Sequence, residues 1–176
     1  MRDCSVSMAR ANLLALVMTA PLACGLWFAF SVRWGWALPV QGLLAFLDWP
    51  IALPAVGLGV VAHEAIHAAT WALASRRPIS AIAVGVLWRS LTPYAHPRDP
   101  MEARAYRIGG MMPGLVLGIL PAVAAVALGW PQLLIFGLIF TLAAGGDALV
   151  LWLIRDVSDS SLVQDHPSRA GCVIME

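Results

Sequence analysis

One stretch constrains this chain more than any other: Val60-Val61-Ala62-His63-Glu64-Ala65-Ile66-His67-Ala68-Ala69 sets an H-E-x-x-H pentad inside a run with almost no other polar residue. In an α-helix, side chains four apart lie about 40° apart around the axis, so His63 and His67 can present imidazole nitrogens to a single metal ion. Glu64 sits on the flank of that pair, from where its carboxylate can reach a water on the metal without ligating the metal itself. An ionised side chain at the centre of a bilayer costs on the order of 3 kcal/mol, so its presence asks for a reason. Hydrogen bonding between helices would account for one such residue, but three at this spacing exceed it.

The rest of the composition places this pentad in a membrane. The chain has 176 residues, of which 60% are hydrophobic and only 12% charged, with a mean hydropathy of +0.80; soluble domains carry about a quarter charged residues. These values predict an integral membrane protein. A net charge of +1 and the lack of a dense basic face argue against a nucleic-acid partner. Every basic residue is Arg. Cys4, Cys24 and Cys172 are odd in number and far apart, which argues against a disulfide framework and a CxxC metal site. Pro21-Leu22-Ala23-Cys24 faintly resembles a lipoprotein cleavage site, but Pro stands where Leu is expected, so the N-terminus reads as an uncleaved span.

Four apolar runs are long enough to cross a bilayer: residues 11–32, 51–75, 109–129 and 132–154. Between the first two, Trp34, Trp36 and Trp49 suit the headgroup region, and residues 38–47 could form a short interfacial helix. Between the second and third, Ile79 to Trp88 is apolar, β-branched and too short to span, and three prolines punctuate Thr92 to Pro100. This segment reads as an extended or re-entrant hairpin followed by a rigid turn. Pro113 and Pro121 predict kinks in the third span. The tail from Arg155 reads as polar and mostly exposed. The expected fold is therefore an all-α integral membrane protein of about four transmembrane helices with a short hairpin in the loop between helices two and three, forming one domain over residues 1–176.

A catalytic zinc usually has three protein ligands and one open position. Asp147, the only acid besides Glu64 deep in a predicted span, is the leading third ligand; His96 is the alternative, and His166 a weaker one. His67 and Asp147 each lie seven or eight residues from the inner ends of their spans, roughly 10–12 Å deep, so they can meet. Tyr94 and Arg107 could orient a substrate carbonyl, with Tyr94 and His96 as candidate substrate contacts.

His63-Glu64-Ala65-Ile66-His67 on one membrane helix, with Gly146-Asp147 late in a following one, resembles the site-2 protease type of intramembrane zinc metallopeptidase. The resemblance implies zinc ligation by His63, His67 and Asp147 and catalysis by Glu64. Where those enzymes usually show Asn and Pro ahead of Leu-Asp-Gly, this chain has Gly145-Gly146-Asp147-Ala148. The wider pattern, Pro93-Tyr94-Ala95-His96-Pro97, Arg107-Ile108-Gly109-Gly110-Met111-Met112-Pro113 and Val163-Gln164-Asp165-His166-Pro167, is similar to a bacterial family of zincin-like membrane peptidases. The function expected is hydrolysis of peptide bonds in membrane-associated protein substrates, in a multi-pass protein of the bacterial inner membrane. Two other classes are carried: a transporter or ion path using the His/Glu/Asp cluster, against which the lack of an internal repeat weighs, and a non-catalytic assembly factor, which has no need of Glu64.

Six arginines lie between the second and third spans against Arg33 alone between the first and second, which predicts a cytoplasmic N-terminus. A cysteine placed at Arg98 should be labelled from the cytoplasm by a membrane-impermeant thiol reagent; labelling from outside would reverse the topology.

Overall fold

The computed structural model describes residues 1–48, 50, 52–88 and 92–175; Trp49, and Arg89 among the six arginines counted between the second and third spans, lie outside the described residues. Strand β1 (Arg2–Val6) leads into helix α1 (Met8–Trp34), followed by α2 (Ala37–Asp48) and α3 (Ala52–Ser75). A hairpin of β2 (Ile82–Leu87) and β3 (Thr92–Pro97) follows, then β4 (Met101–Glu102). Helix α4 (Ala103–Pro113) continues through a π-helical segment (Gly114–Ile119) into α5 (Leu120–Leu128). The chain closes with α6 (Pro131–Ala143), α7 (Gly145–Leu153), β5 (Leu162–Asp165) and β6 (Ala170–Met175).

Four helical stretches are long and apolar enough to cross a membrane: Met8–Trp34, Ala52–Ser75, Ala103–Leu128 and Pro131–Leu153. Their outer faces are apolar as well as their inner ones, with Leu53, Leu58 and Leu73 of α3 exposed at 82, 71 and 78%. Each stretch matches an expected span, although the third starts about six residues early. Arg104 and Arg107 therefore belong to the first turns of α4 rather than to the preceding loop. The short helix after the first span is α2. Pro113 falls where regular helix gives way to the wider π geometry, a common answer to a missing backbone donor.

An all-α fold is not what forms. A four-stranded antiparallel sheet, ordered β1-β6-β5-β4, caps one end of the helices in addition to the expected β2–β3 hairpin. The tail expected to be exposed supplies two of its strands, and the polar head supplies a third. Val163, Cys172 and Ile174 are buried against Trp71, Ala103 and Tyr106, so the alternating apolar residues of these short strands find a core on the helix ends. Cys4 and Cys172, distant in sequence, sit opposite one another across β1 and β6 as free thiols. Burial pushes the Cys172 thiol up to about 12.

The tail is also stapled to α4. Ala103 and Arg104 donate their backbone N–H groups to Ser161 and Asp159, while Arg107 donates to the carbonyls of Ile154 and Val157 and pairs with Asp159. Arg107 thereby pins the tail to α4. Helices α3 and α4 approach closely because Gly109 has no side chain: a Cβ there would lie 2.1 Å from the Trp71 ring.

This contact generates a paired test. Gly109→Ala should cost about 1–3 kcal/mol through overpacking, whereas Gly146→Ala, whose added Cβ meets nothing within 4 Å, should be neutral or gain up to about 1 kcal/mol in helix propensity. Thermal unfolding midpoints in detergent check the pair; equal midpoints would remove the close α3–α4 contact as a constraint.

Candidate metal centre

The pentad lies in the second half of α3, and the helical spacing aligns the two imidazoles with ring centroids 4.9 Å apart. Asp147, in the first turn of α7, enters from the fourth span. Its Oδ2 lies 3.1 Å from His63 Nε2 and its Oδ1 lies 3.3 Å from His67 Nε2. Among the described residues these three form the only group whose ligand atoms all fall within 4.8 Å of one another. His96, the alternative third ligand, is exposed, stacks on Tyr94, and is not in the group. His166 accepts the backbone N–H groups of Ser168 and Arg169, as a turn residue does.

His67 is held more firmly than its partner. Its ring is buried, stacks on Trp71 at 4.7 Å and 13°, and its Nδ1 lies 3.0 Å from the carbonyl oxygen of Gly109. A carbonyl only accepts, so Nδ1 carries the proton and donates it, leaving the lone pair of a neutral imidazole on Nε2. The carbonyl is available for a local reason. In a regular helix Gly109 would bond the N–H of residue 113, and Pro113 has none; the N–H of Gly114 goes to Met111 instead.

The donor set fits a zinc ion. Four ligands at about 2.0–2.1 Å in a tetrahedron stand about 3.3 Å from one another, close to the two separations seen here. With its proton committed to Gly109, His67 Nε2 faces a carboxylate oxygen, lone pair against lone pair, an arrangement that a cation between them resolves. The carbonyl behind His67 is the outer partner that metal-ligating histidines ordinarily have.

Glu64 is half-buried on the same turn, and the backbone of Ala95 faces its carboxylate across the cavity that both line. The register of the hairpin explains why that group is free. Arg98 donates its N–H to Ala81, so in the alternation of an antiparallel ladder the pairs His96–Ala83 and Tyr94–Gly85 are the hydrogen-bonded ones. Pro93, Ala95 and Pro97 then turn their nitrogens away from β2. Two are prolines with nothing to donate, which leaves Ala95 with the one amide N–H among these three on that edge, and it faces Glu64.

A cavity of 380 Å³ joins these groups, walled by Tyr94, Tyr106, Gly146 and Asp165 besides His63, Glu64, His67 and Asp147. Tyr94 thus stands at the site, while His96 lines a neighbouring groove with Arg98 and Asp165. Sequence reading missed Tyr106 and Asp165. The Tyr106 hydroxyl donates to the Asp165 carboxylate, and the Tyr106 backbone carbonyl accepts from the Trp71 indole at 3.0 Å. Burial holds the Asp165 carboxyl above its usual range, with the Tyr106 hydrogen bond opposing. The signal available for Asp165 was its place in the quoted flanking pattern, which carried no chemistry by itself; Tyr106 stands one residue ahead of the second segment of that pattern.

A His-Glu-x-x-His helix facing a carboxylate from a later helix is a donor set that fits a zinc peptidase. Residues 56–162, more than half of the chain, match the family described as "Putative zincin peptidase", and the chain belongs to that family. Neither a curated protein nor a solved structure matches the chain. The zincin family implies zinc, and His63, His67 and Asp147 are the group that could hold it.

Pro113→Ala restores an N–H that competes with His67 for the Gly109 carbonyl. It should weaken zinc binding by about 10-fold or more, as loss of an outer-shell partner does, while leaving the helices intact; Asp147→Ala should lower zinc occupancy further. Competition titration with a chromogenic chelator reads both, and unchanged affinity in Pro113→Ala would show that the carbonyl does not orient His67.

Proposed function

We propose that the protein is an intramembrane zinc metallopeptidase that hydrolyses peptide bonds of membrane-associated protein substrates, seated in the bacterial inner membrane with both termini in the cytoplasm. The observation that carries this reading is the convergence of His63, His67 and Asp147 beside a carboxylate, Glu64, that is not part of the ligand group. A structural metal site or an assembly factor has no use for that extra base. The apolar outer faces of the four long helices support the bilayer placement, and the crowding of arginines at the sheet end, against Arg33 near the other, supports its orientation.

In this reading His63, His67 and Asp147 hold the metal, and Gly109 fixes the ring of His67. Zinc bound there supplies Lewis acidity, which makes water a nucleophile near neutral pH and polarises a carbonyl oxygen. Glu64 takes a proton from the attacking water at its carboxylate and returns it to the departing amide nitrogen. Ala95 N–H keeps that carboxylate on the cavity side during both transfers. The bare Cα of Gly146 leaves the wall open beside Asp147, and the apolar helices exclude bulk solvent elsewhere. His67 stands about 12 Å from the end of α3, so a short wet path from the sheet end reaches it.

Glu64→Gln preserves size and removes the base. The variant should fold, bind zinc as the wild type does, and lose two to four powers of ten in rate, roughly. Comparing membrane proteomes of cells making either protein should reveal a cleaved species present only with wild type. Matching proteomes, together with a difference in metal flux across vesicles, would replace the peptidase reading with transport.

A further inference from the structure

We propose that the cleft between the end of α3 and the start of α4 binds the phosphate headgroup of an anionic phospholipid. The proposal rests on the bilayer placement given above but not on the peptidase chemistry. The cleft encloses 380 Å³ and is lined by Arg76, Arg77 and Arg104 together with Glu102, Ala105 and Ile108.

Ordinary helix electrostatics does not account for these arginines. Arg76 and Arg77 follow the last turn of α3, where a cation complements the helix dipole, but Arg104 sits in the first turn of α4, where a cation opposes it and an anion is favoured. Among the described residues no carboxylate lies within ion-pair distance of any of the three guanidinium groups. Arg77 is half-buried in that state. Three arginines lining one cleft at a helix N-terminus offer a site for a phosphate oxygen cluster, which their guanidinium groups can bind with several charge-assisted hydrogen bonds. Glu102 is the one opposing charge on the wall.

The surroundings decide between a lipid and a free anion. Arg76 and Arg104 bracket the ends of two membrane-length helices, which puts the cleft at headgroup depth. Below the arginines the surface turns apolar at once: Ile108, one turn deeper than Arg104, is exposed, as are Leu73 and Met111. A diacyl phosphate satisfies both halves, head against the guanidiniums and chains along the apolar face. Inorganic phosphate satisfies only the first.

The test uses the full chain purified in detergent, with thermal unfolding followed during titration by dihexanoyl phosphatidylglycerol, dihexanoyl phosphatidylcholine or sodium phosphate. The phosphatidylglycerol should raise the midpoint saturably, while the other two should not. Arg76→Gln/Arg77→Gln/Arg104→Gln should weaken the response roughly tenfold or more, and Glu102→Gln should strengthen it. Should the triple variant fail to fold, Arg104→Gln and Glu102→Gln, moving the response in opposite directions, carry the test. An equal response to phosphatidylcholine, full reproduction by phosphate alone, or a response that Arg104→Gln and Glu102→Gln both leave unchanged would overturn the proposal. Carbonate washing of membranes holding the wild type separates the two readings: extraction overturns the bilayer placement, whereas retention with no lipid response overturns the headgroup site alone.

Discussion

The hydrogen bond from His67 Nδ1 to the Gly109 carbonyl is the interaction on which the site depends. It sets the tautomer of His67, aims Nε2 at Asp147, and ties α3 to α4 at the depth where the metal group lies. Three sequence choices produce it. Pro113 leaves the carbonyl without its usual donor, Gly109 removes the side chain that would strike Trp71, and Trp71 stacks under the imidazole and bonds the Tyr106 carbonyl. A helix irregularity that would destabilise a free-standing segment therefore becomes an orienting group, and the cost is absorbed by a neighbour that supplies the missing proton.

Asp147 is set by a different device. The fourth span bends at Ala144, where the backbone leaves α-helical geometry for one residue. Gly145 packs against the Ala15 backbone of α1, so a Cβ would fall 2.9 Å from that carbonyl oxygen. Gly146 instead faces the cavity. Of the two adjacent glycines, one permits close approach of the helices and the other leaves space.

The pentad was legible because its geometry is local: helical period alone brings His63 and His67 together. The meeting of Asp147 with them followed from depth, since a membrane turns sequence position into height. The hairpin followed from β-branched residues and prolines. The four-stranded sheet was not legible. Its strands have five, two, four and six residues and come from both ends and the middle of the chain, and pairings of that separation leave no periodic trace in the segments. The Gly109 carbonyl and the Ala95 amide were hidden for another reason. Backbone groups belong to every residue, so identity reveals their role only when a proline nearby removes a partner.

That hidden sheet bears on the chemistry rather than only on the fold. Asp165 ends β5 and reaches the cavity that holds Asp147, so one wall of the site is built from the C-terminal segment. Its carboxylate is bonded by Tyr106, whose ring packs against Trp71, and Trp71 in turn supports His67. A chain of contacts thus runs from the strand cap to the imidazole. Burial that raises the Asp165 carboxyl also makes the Tyr106 bond stronger than it would be in water, and this stiffens the part of the cavity wall that the two residues form. The polar end of the molecule therefore braces the imidazole of His67 through Tyr106 and Trp71, using segments with no span of their own that fold back onto the helix ends.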